Sequence, residues 1–465
     1  MWNIDLFNNQ LSMMQETNGR ELFGSRFGVI AATAGSAIGL GNIWRFPYVA
    51  GENGGAAFLL IYIGFVLVIG VPVMLSEFVI GRKAQQNAFG SFRKLAPGKP
   101  WYLIGLMGVV AAFMILAFYT AVAGWTLEYL YQSLTNGFAG KDAAELELMF
   151  TEFQGSSFRP LLWFFVFMAL TAGIIMMGVK KGIEKSTKIL MPILVLLLLI
   201  MAIRSMSLPG AMEGIKFLFK PDFSKITTKS VLEALGQSFF SLSIGMGTLI
   251  TYASYVPKDN RLGNTAISVA LADSLVAILA GLAIFPAVFA FGIAPGSGAG
   301  LVYITLPNIF QQMMGGYIFS ILFFVLLGVA ALTSTISVLE VIVAFFVEEL
   351  NLKRKAATWI SVSLVSILGV MSALSWGTLS GWKVLGYSVF ELLDYTSANI
   401  LLPLGGFFIV LFVAWFFGRE KAKMELSNEG KLKIGFFPFF LFVIRFLAPL
   451  CIAFIFLQGI GLIKL

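Results

Sequence analysis

The sequence predicts an all-α membrane protein whose first and sixth membrane-spanning helices are interrupted. Three observations lead to this fold class. The 465 residues are 58% hydrophobic and only 12% charged, with a mean hydropathy of +0.89, whereas soluble globular chains carry roughly 25% charged residues. About eleven apolar runs are each long enough to cross a bilayer, which takes about twenty residues. Two of these runs carry paired glycines near their middle.

The apolar runs divide the chain into spans and loops. Spans 1 to 11 are predicted at 28–50, 57–81, 103–133, 160–179, 187–206, 236–256, 264–294, 318–349, 357–375, 395–417 and 436–462. These spans divide the whole chain into six parts. They are a cytoplasmic N-terminal segment (1–27), a first five-helix repeat (28–206), an extracellular loop (207–235), a second five-helix repeat (236–417), a cytoplasmic loop (418–435), and an eleventh helix with the C-terminus (436–465).

Positive charge is concentrated on alternate loops. With the N-terminus inside, 21 of the 32 Lys and Arg residues lie on the cytoplasmic set of ends and loops, against nine on the opposite set. Cytoplasmic loops carry the excess of Lys and Arg in membrane proteins. The bias therefore predicts a multi-pass protein of the plasma membrane with a cytoplasmic N-terminus. The loop 207–235, which carries four lysines on the predicted outside, is the exception.

Composition also excludes several classes of protein. The single cysteine, Cys451, rules out an internal disulfide framework. The sequence contains no histidine, the commonest metal ligand and the usual proton relay near neutral pH. No nucleophile with a base and no metal-ligand cluster is visible, so an enzyme is not expected. The positive charges follow the topology rule, which predicts a lipid bilayer and not a nucleic acid as partner. The polar opening of the chain predicts no cleaved signal peptide.

Span 1 contains the glycine pair of the stretch GSAIGLGNIWRFPY (35–48). A glycine inside a helix costs about 1 kcal/mol relative to alanine, so two glycines two residues apart indicate a break. Asn42 and Arg45 follow within the same apolar run. An arginine at membrane depth costs about 2.5–3.5 kcal/mol, so Arg45 should face water or a counter-ion. Close helix packing through the GxxxG pattern of this stretch remains an alternative explanation of the glycines.

Span 6 contains the second pair, GMG at 245–247, preceded by the hydroxyls of Ser241 and Ser243. Unwinding frees backbone amides and carbonyls, each of which would cost several kcal/mol in hydrocarbon without a partner. The N-terminus of a half-helix favours an anion such as a carboxylate, and a C-terminus with free carbonyls favours a cation. A zwitterionic amino acid together with sodium would satisfy both ends.

The motifs support a family resemblance that extends over nearly the whole chain. They are GSAIGLGNIWRFPY (35–48), NGGAAF (53–58), GIEKSTKILMP (182–192), SFFSLSIGMGTLITYASY (238–255), AALTSTISVLE (330–340) and LLD (392–394). The chain resembles the neurotransmitter:sodium symporter family, and in particular its bacterial LeuT-type sodium-coupled amino-acid transporters with eleven helices. The resemblance implies a 5+5 inverted repeat of the LeuT type, with helices 1 and 6 broken and an eleventh helix added, that works by alternating access.

The resemblance also implies sites for one small-molecule amino acid and two Na+ ions. Residues around the substrate would be Ala37, Gly39, Gly41, Ile115, Tyr119, Phe240, Ser241, Ser243, Met246, Ser334 and Val338. The first sodium site would use Ala37, Asn42, Ser241 and Asp273 with the substrate carboxylate, and the second would use Gly35, Ile38, Ala330, Thr333 and Ser334. An outer gate would use Arg45, Asp394, Gln237 and Phe240, and an inner gate Arg20, Glu348 and Tyr255.

Simpler readings of several single residues remain open. Thr333 and Ser334 could bond to their own helix carbonyls. Tyr119 and Phe240 could be packing residues. The carboxylates of Glu77, Asp273 and Glu340, which lie in predicted spans, could be groups that bond neighbouring helices.

Four residues that depart from the pattern of other family members bear on function. Gly39 stands where relatives that carry monoamines have aspartate, which favours a substrate with its own carboxylate. Asp273 aligns with a position that is often asparagine, and Ala277 with a position that is serine in chloride-dependent members. We therefore expect chloride-independent transport of a neutral hydrophobic or aromatic L-amino acid, with a transport-inactive sensor as the alternative. Glu348 stands where aspartate is more usual. Sodium stoichiometry and oligomeric state are left open.

Overall fold

The computed structural model describes residues 20–292, 298 and 300–463. The predicted N-terminal segment therefore lies outside the described residues as far as position 19, and so does the predicted end of span 7 at 293–294. The described chain is mostly helical, and its one β-type pairing is an isolated bridge between Val384 and Tyr387.

Nine helices of the described chain are long and apolar enough to cross a membrane. They are Ala56–Ala84, Tyr102–Leu134, Arg159–Met176, Val179–Met206, Leu262–Ala290, Gly316–Glu349, Arg354–Ala373, Val389–Phe417 and Phe437–Gly459. These correspond to predicted spans 2 to 5 and 7 to 11. Span 1 is a pair of helices, Arg26–Ala37 and Gly41–Glu52, bent by 51° at the predicted break. Span 6 is a second interrupted pair, Thr228–Ser241 and Thr248–Ala253.

Span 6 begins earlier than the sequence predicted. Its first helix starts at Thr228, eight residues before the predicted start at 236, with a reciprocal cap between Thr227 and Ser230. The opening turns of this helix are amphipathic, so hydropathy places its start too late. The preceding loop, predicted at 207–235, is correspondingly shorter.

The connecting segments contain helices of their own. Short helices outside the spans are Ala88–Leu95, Ala143–Gly155, Ala211–Phe219, Phe223–Lys225, Leu301–Thr305, Leu306–Gln312 and Arg419–Leu426.

The two interrupted helices lie inside the bundle. The first half of span 1, Arg26–Ala37, packs against Val179–Met206, Leu262–Ala290 and Gly316–Glu349. It also contacts the second half of span 6, Thr248–Ala253. Every described residue from Thr248 to Ala253 is buried. This arrangement surrounds both breaks with protein, as irregular backbone at membrane depth requires.

Candidate functional site

The break in span 1 leaves backbone amides that side chains satisfy. Ile38 has an extended backbone, with φ −79° and ψ 108°, and ends the first half-helix. The amide of Leu40 donates to the hydroxyl of Tyr119 at 3.0 Å, and the amide of Gly39 donates to Oδ1 of Asn42 at 3.2 Å. A β-carbon at Gly39 would collide with Ser334 and lie 2.9 Å from the Tyr119 hydroxyl. Glycine at this position therefore keeps the space between spans 1, 3 and 8 open.

The break in span 6 needs left-handed backbone. Ser243 has φ 55° and Gly245 has φ 85°. A β-carbon at Gly245 would collide with the carbonyl oxygen of Leu402 on span 10. The Gly245 amide donates to Oε1 of Glu77 at 2.8 Å, and Ser243 Oγ donates to the Ser36 carbonyl at 2.8 Å. The two breaks are thus held together by a direct side-chain contact.

A pocket lies between the two breaks and is enclosed by spans 3 and 8. Its lining consists of Ser36, Ala37, Gly39, Gly41, Ile115, Leu116, Tyr119, Phe240, Ser243, Met246, Ser334, Thr335 and Val338. Every predicted substrate residue except Ser241 is in this set. Ser36, Leu116 and Thr335 were not predicted, and among the described residues the lining has no charged side chain.

Ser241 instead belongs to a buried polar cluster around Asp273, which is fully buried. The carboxylate of Asp273 accepts hydrogen bonds from Ser241 Oγ at 2.7 Å, Asn42 Nδ2 at 2.8 Å and the Tyr62 hydroxyl at 2.7 Å. Asn42 and Ser241 are also 3.1 Å apart. Carboxylate, amide and hydroxyl oxygens are the ligands that hard cations prefer. This cluster, which we call the Asp273 cluster, gathers three of the four residues predicted for the first sodium site.

The residues predicted for the second sodium site lie where spans 1 and 8 meet. The hydroxyl of Thr333 is 3.4 Å from the Ile38 carbonyl oxygen and 3.0 Å from that of Ala330. It also bonds within its own helix, 3.3 Å from the Val329 carbonyl, which was the simpler reading of this residue. A β-carbon added at Gly35 would lie 3.4 Å from Thr333. The structure therefore brings oxygen atoms of spans 1 and 8 together here.

These oxygen sets differ from transition-metal sites. In the part of the chain that the structure describes, no three His, Cys, Asp or Glu side chains are grouped as metal ligands. The oxygen atoms that do converge belong mostly to carbonyls, hydroxyls and an amide, which suit a weakly held alkali cation.

The residues predicted for the inner gate contact one another. Arg20 makes an ion pair with Glu348, and its guanidinium lies over the ring of Tyr255, 4.6 Å from the centroid. Arg20 also donates to Ser254 Oγ at 2.5 Å. Glu348 in turn accepts from the backbone amide of Asn87 at 2.7 Å. These contacts join the chain before span 1 to spans 6 and 8.

Of the residues predicted for the outer gate, three are in contact and Asp394 is apart. Arg45 donates to Gln237 Oε1 at 3.1 Å and lies 4.9 Å from the ring centroid of Phe240. Gln237 also donates to the Gly41 carbonyl at 3.1 Å. Within the described residues no ion pair joins Arg45 to Asp394. The structure thus has the inner pair joined and the outer pair apart.

The sequence missed one residue of the Asp273 cluster, Tyr62, and predicted a helix-bonding role for Glu77 and Glu340. Tyr62 was not singled out, although a tyrosine in the middle of an apolar span needs a partner for its hydroxyl when buried. Glu77 was read as a group that bonds helices, and it does so at the break of span 6. Glu340, read the same way, pairs with Arg354 and accepts from the Tyr255 hydroxyl at 2.7 Å.

Two broken helices that face a shared pocket, with oxygen clusters beside it, are typical of a membrane transporter. The model of the sodium:neurotransmitter symporter family matches residues 20–147 and 152–464. The chain belongs to this family, as its motifs predicted. The protein is accordingly a multi-pass membrane protein and a sodium-dependent transporter, and it is not an enzyme.

Several proteins resemble the chain along most of its length. A sodium-dependent transporter of Bacillus subtilis is 41% identical over 440 residues, covering 95% of this chain and 98% of the relative. A sodium-dependent transporter of Haemophilus influenzae is 38% identical over 463 residues, covering 96% of this chain and 100% of the relative. The sodium-dependent serotonin transporter of Drosophila melanogaster is 26% identical over 470 residues, covering 90% of this chain and 73% of the relative.

Among solved structures, MhsT in complex with L-phenylalanine matches with a TM-score of 0.87 and 48% identity, covering 95% of this chain and 100% of MhsT. This match confirms the predicted LeuT-type fold.

Proposed function

We propose that the chain carries neutral hydrophobic or aromatic L-amino acids into the cell together with sodium. The chemistry of the pocket lining carries this proposal. Ile115, Met246, Val338 and Phe240 offer an apolar surface to a side chain, and Met246 adapts readily to different shapes. The Tyr119 hydroxyl and the broken backbone offer polar partners to a carboxylate and an ammonium group. L-Phenylalanine, the molecule bound to MhsT, has this chemistry.

Two sodium ions would accompany the substrate in this proposal. The Asp273 cluster would hold one beside the substrate carboxylate, and the carbonyls of Gly35, Ile38 and Ala330 with the hydroxyls of Thr333 and Ser334 would hold the other. One charge that crosses the membrane gains about 2.3 kcal/mol per 100 mV. Two charges with one zwitterion would gain about 4.6 kcal/mol, which is roughly a thousandfold accumulation from the potential alone.

Transport would not require chloride. A cation in a poorly solvated site needs nearby negative charge, since unit charges about 4 Å apart interact by about 4 kcal/mol even at an effective dielectric constant near 20. Asp273 supplies a fixed carboxylate. Ala277, one turn further along the same helix and fully buried, offers no hydroxyl to an anion.

Alternating access would use the two gates in turn. The joined Arg20–Glu348 pair would close the predicted cytoplasmic side, and Arg45 with Asp394 would close the predicted outside once substrate is bound. Gln237 and Phe240, which hold Arg45 in the structure, would guide it toward Asp394.

Uptake of labelled L-phenylalanine into proteoliposomes tests the proposal. We expect uptake that needs an inward sodium gradient, is equal in sodium chloride and sodium gluconate, and is inhibited by excess tryptophan or leucine but not by glutamate or lysine. Preferential uptake of a charged amino acid would contradict the substrate class. Sodium-dependent binding without uptake or counterflow would favour the transport-inactive sensor.

A further inference from the structure

A second cavity, remote from the transport pocket, lies where spans 1, 2 and 7 reach the predicted cytoplasmic surface. It has a volume of about 460 Å³. We call it the basic pocket, because its lining includes the cations Arg26, Arg82, Lys83, Lys258, Arg261 and Lys431. Among the described residues, three carboxylates accompany these six cations in the lining.

The floor of the basic pocket is rigidly built around Arg82, whose side chain is 1% exposed. Its guanidinium donates to Glu425 Oε1 at 2.5 Å, to the Asn260 carbonyl at 2.6 Å and to Asn428 Oδ1 at 2.9 Å. Asn428 donates in turn to the same Asn260 carbonyl at 3.1 Å. These bonds fix the loop before span 7 against the helix Arg419–Leu426, and they occupy the one buried carboxylate of the pocket.

The rim carries a net positive charge, because four exposed cations face two exposed carboxylates, those of Asp259 and Glu429. Arg26, Lys258, Arg261 and Lys431 are all exposed, and no carboxylate of the described chain lies within ion-pair distance of them. Span 7 starts directly after Arg261, and no side chain caps it. The positive end of the helix dipole therefore adds to the field at the rim. Four cations around one cavity favour an anion with several acceptor oxygens.

Span 7, which starts next to the rim, has an exposed apolar face. Ile267, Leu271 and Leu275 of span 7 are 49%, 54% and 51% exposed. Their spacing of four residues places them on one face of the helix. This face begins within two turns of Arg261. A free phosphate ion would make no favourable contact with this apolar face, whereas a lipid acyl chain would lie along it.

We propose that the basic pocket binds the phosphate group of an anionic phospholipid, whose acyl chains follow the exposed face of span 7. Bound in this way, one lipid bridges Arg26, the first residue of the broken span 1, to the loop before span 7 and to Lys431. The lipid thereby fastens the first half of span 1 to the fixed floor around Arg82.

Native mass spectrometry of the full chain in detergent, titrated with phosphatidylglycerol or phosphatidylcholine, tests the proposal. We expect one saturable phosphatidylglycerol adduct and no comparable phosphatidylcholine adduct. The triple variant K258Q/R261Q/K431Q removes rim cations and leaves Arg82 in place. A cation near a membrane surface changes affinity for anionic lipid by about fivefold, so the triple variant should lose on the order of a hundredfold.

The matched control is K181Q/K353Q/K355Q, which removes three exposed lysines of the same predicted membrane side outside the pocket. It should keep wild-type affinity. If the triple variant does not fold, R26Q alone should lose about fivefold. An equal loss in the control, or wild-type affinity in the pocket variants, would overturn the site. Displacement of the lipid by an equal concentration of glycerol phosphate would overturn the lipid as ligand in favour of a soluble phosphate.

Discussion

Replacing Asp273 by asparagine would remove a buried negative charge while almost preserving shape. The wild-type carboxylate accepts from Asn42, Ser241 and Tyr62. In the variant, the amide oxygen can still accept from Asn42 and Ser241. The new amide group can donate to the Tyr62 hydroxyl, which already lies 3.0 Å from Ser241 Oγ and can turn toward it. The variant should therefore fold, and the change should be mainly electrostatic.

The size of the electrostatic change sets the expected result. A sodium ion about 4 Å from the carboxylate would gain about 4 kcal/mol at an effective dielectric constant near 20. Each 1.4 kcal/mol corresponds to tenfold in affinity, so the upper limit is roughly a thousandfold. Because the amide oxygen remains a ligand, part of this interaction survives. We expect the sodium concentration for half-maximal uptake to rise by at least about tenfold for Asp273→Asn.

The assay is a sodium titration of L-phenylalanine uptake into proteoliposomes, at constant ionic strength in gluconate. Tyr62→Phe is the matched control, because it removes one hydrogen bond to the carboxylate and keeps the charge. Its shift should stay below about fivefold, equivalent to about 1 kcal/mol. Unchanged sodium dependence in Asp273→Asn would refute the reasoning, and so would an equal shift in both variants.

Three further variants test other parts of the site. Gly39→Ala should reduce L-phenylalanine binding at least about tenfold, measured by scintillation proximity, because its β-carbon would collide with Ser334 and crowd Tyr119; wild-type affinity would show that the space is not needed. Asp394→Asn should lower uptake far more than expression, because it takes the counter-ion of the outer gate away; normal uptake would count against the pairing. Gly245→Ala should lower stability in a thermal unfolding assay by more than about 1 kcal/mol, since left-handed backbone penalises a β-carbon. Gly236→Ala, where a β-carbon meets nothing within 4 Å, should not.

The sequence by itself determined the class of protein and the position of both breaks. Low charge and long apolar runs leave lipid as the only solvent that fits, and glycine pairs in the middle of two spans weaken the helix locally. These are properties of short stretches, so they can be read without knowing the fold. The expectation that Gly39 favours a substrate with its own carboxylate also comes from the sequence, through the motif that contains it. Hydropathy alone places the start of span 6 too late, because the first turns of this helix are amphipathic.

Only the tertiary structure decided which distant groups meet. Tyr62 and Asp273 lie far apart in sequence, and their contact depends on how spans 2 and 7 pack. The amide freed at Gly245 could have been satisfied by any neighbouring acceptor, and the packing of span 2 selects Glu77. Likewise Arg45 is held by Gln237 and not by Asp394 in this structure. Charge and hydropathy reveal that a buried polar group needs a partner, but the choice of partner is set by helix packing, because it depends on distances of a few ångströms between side chains.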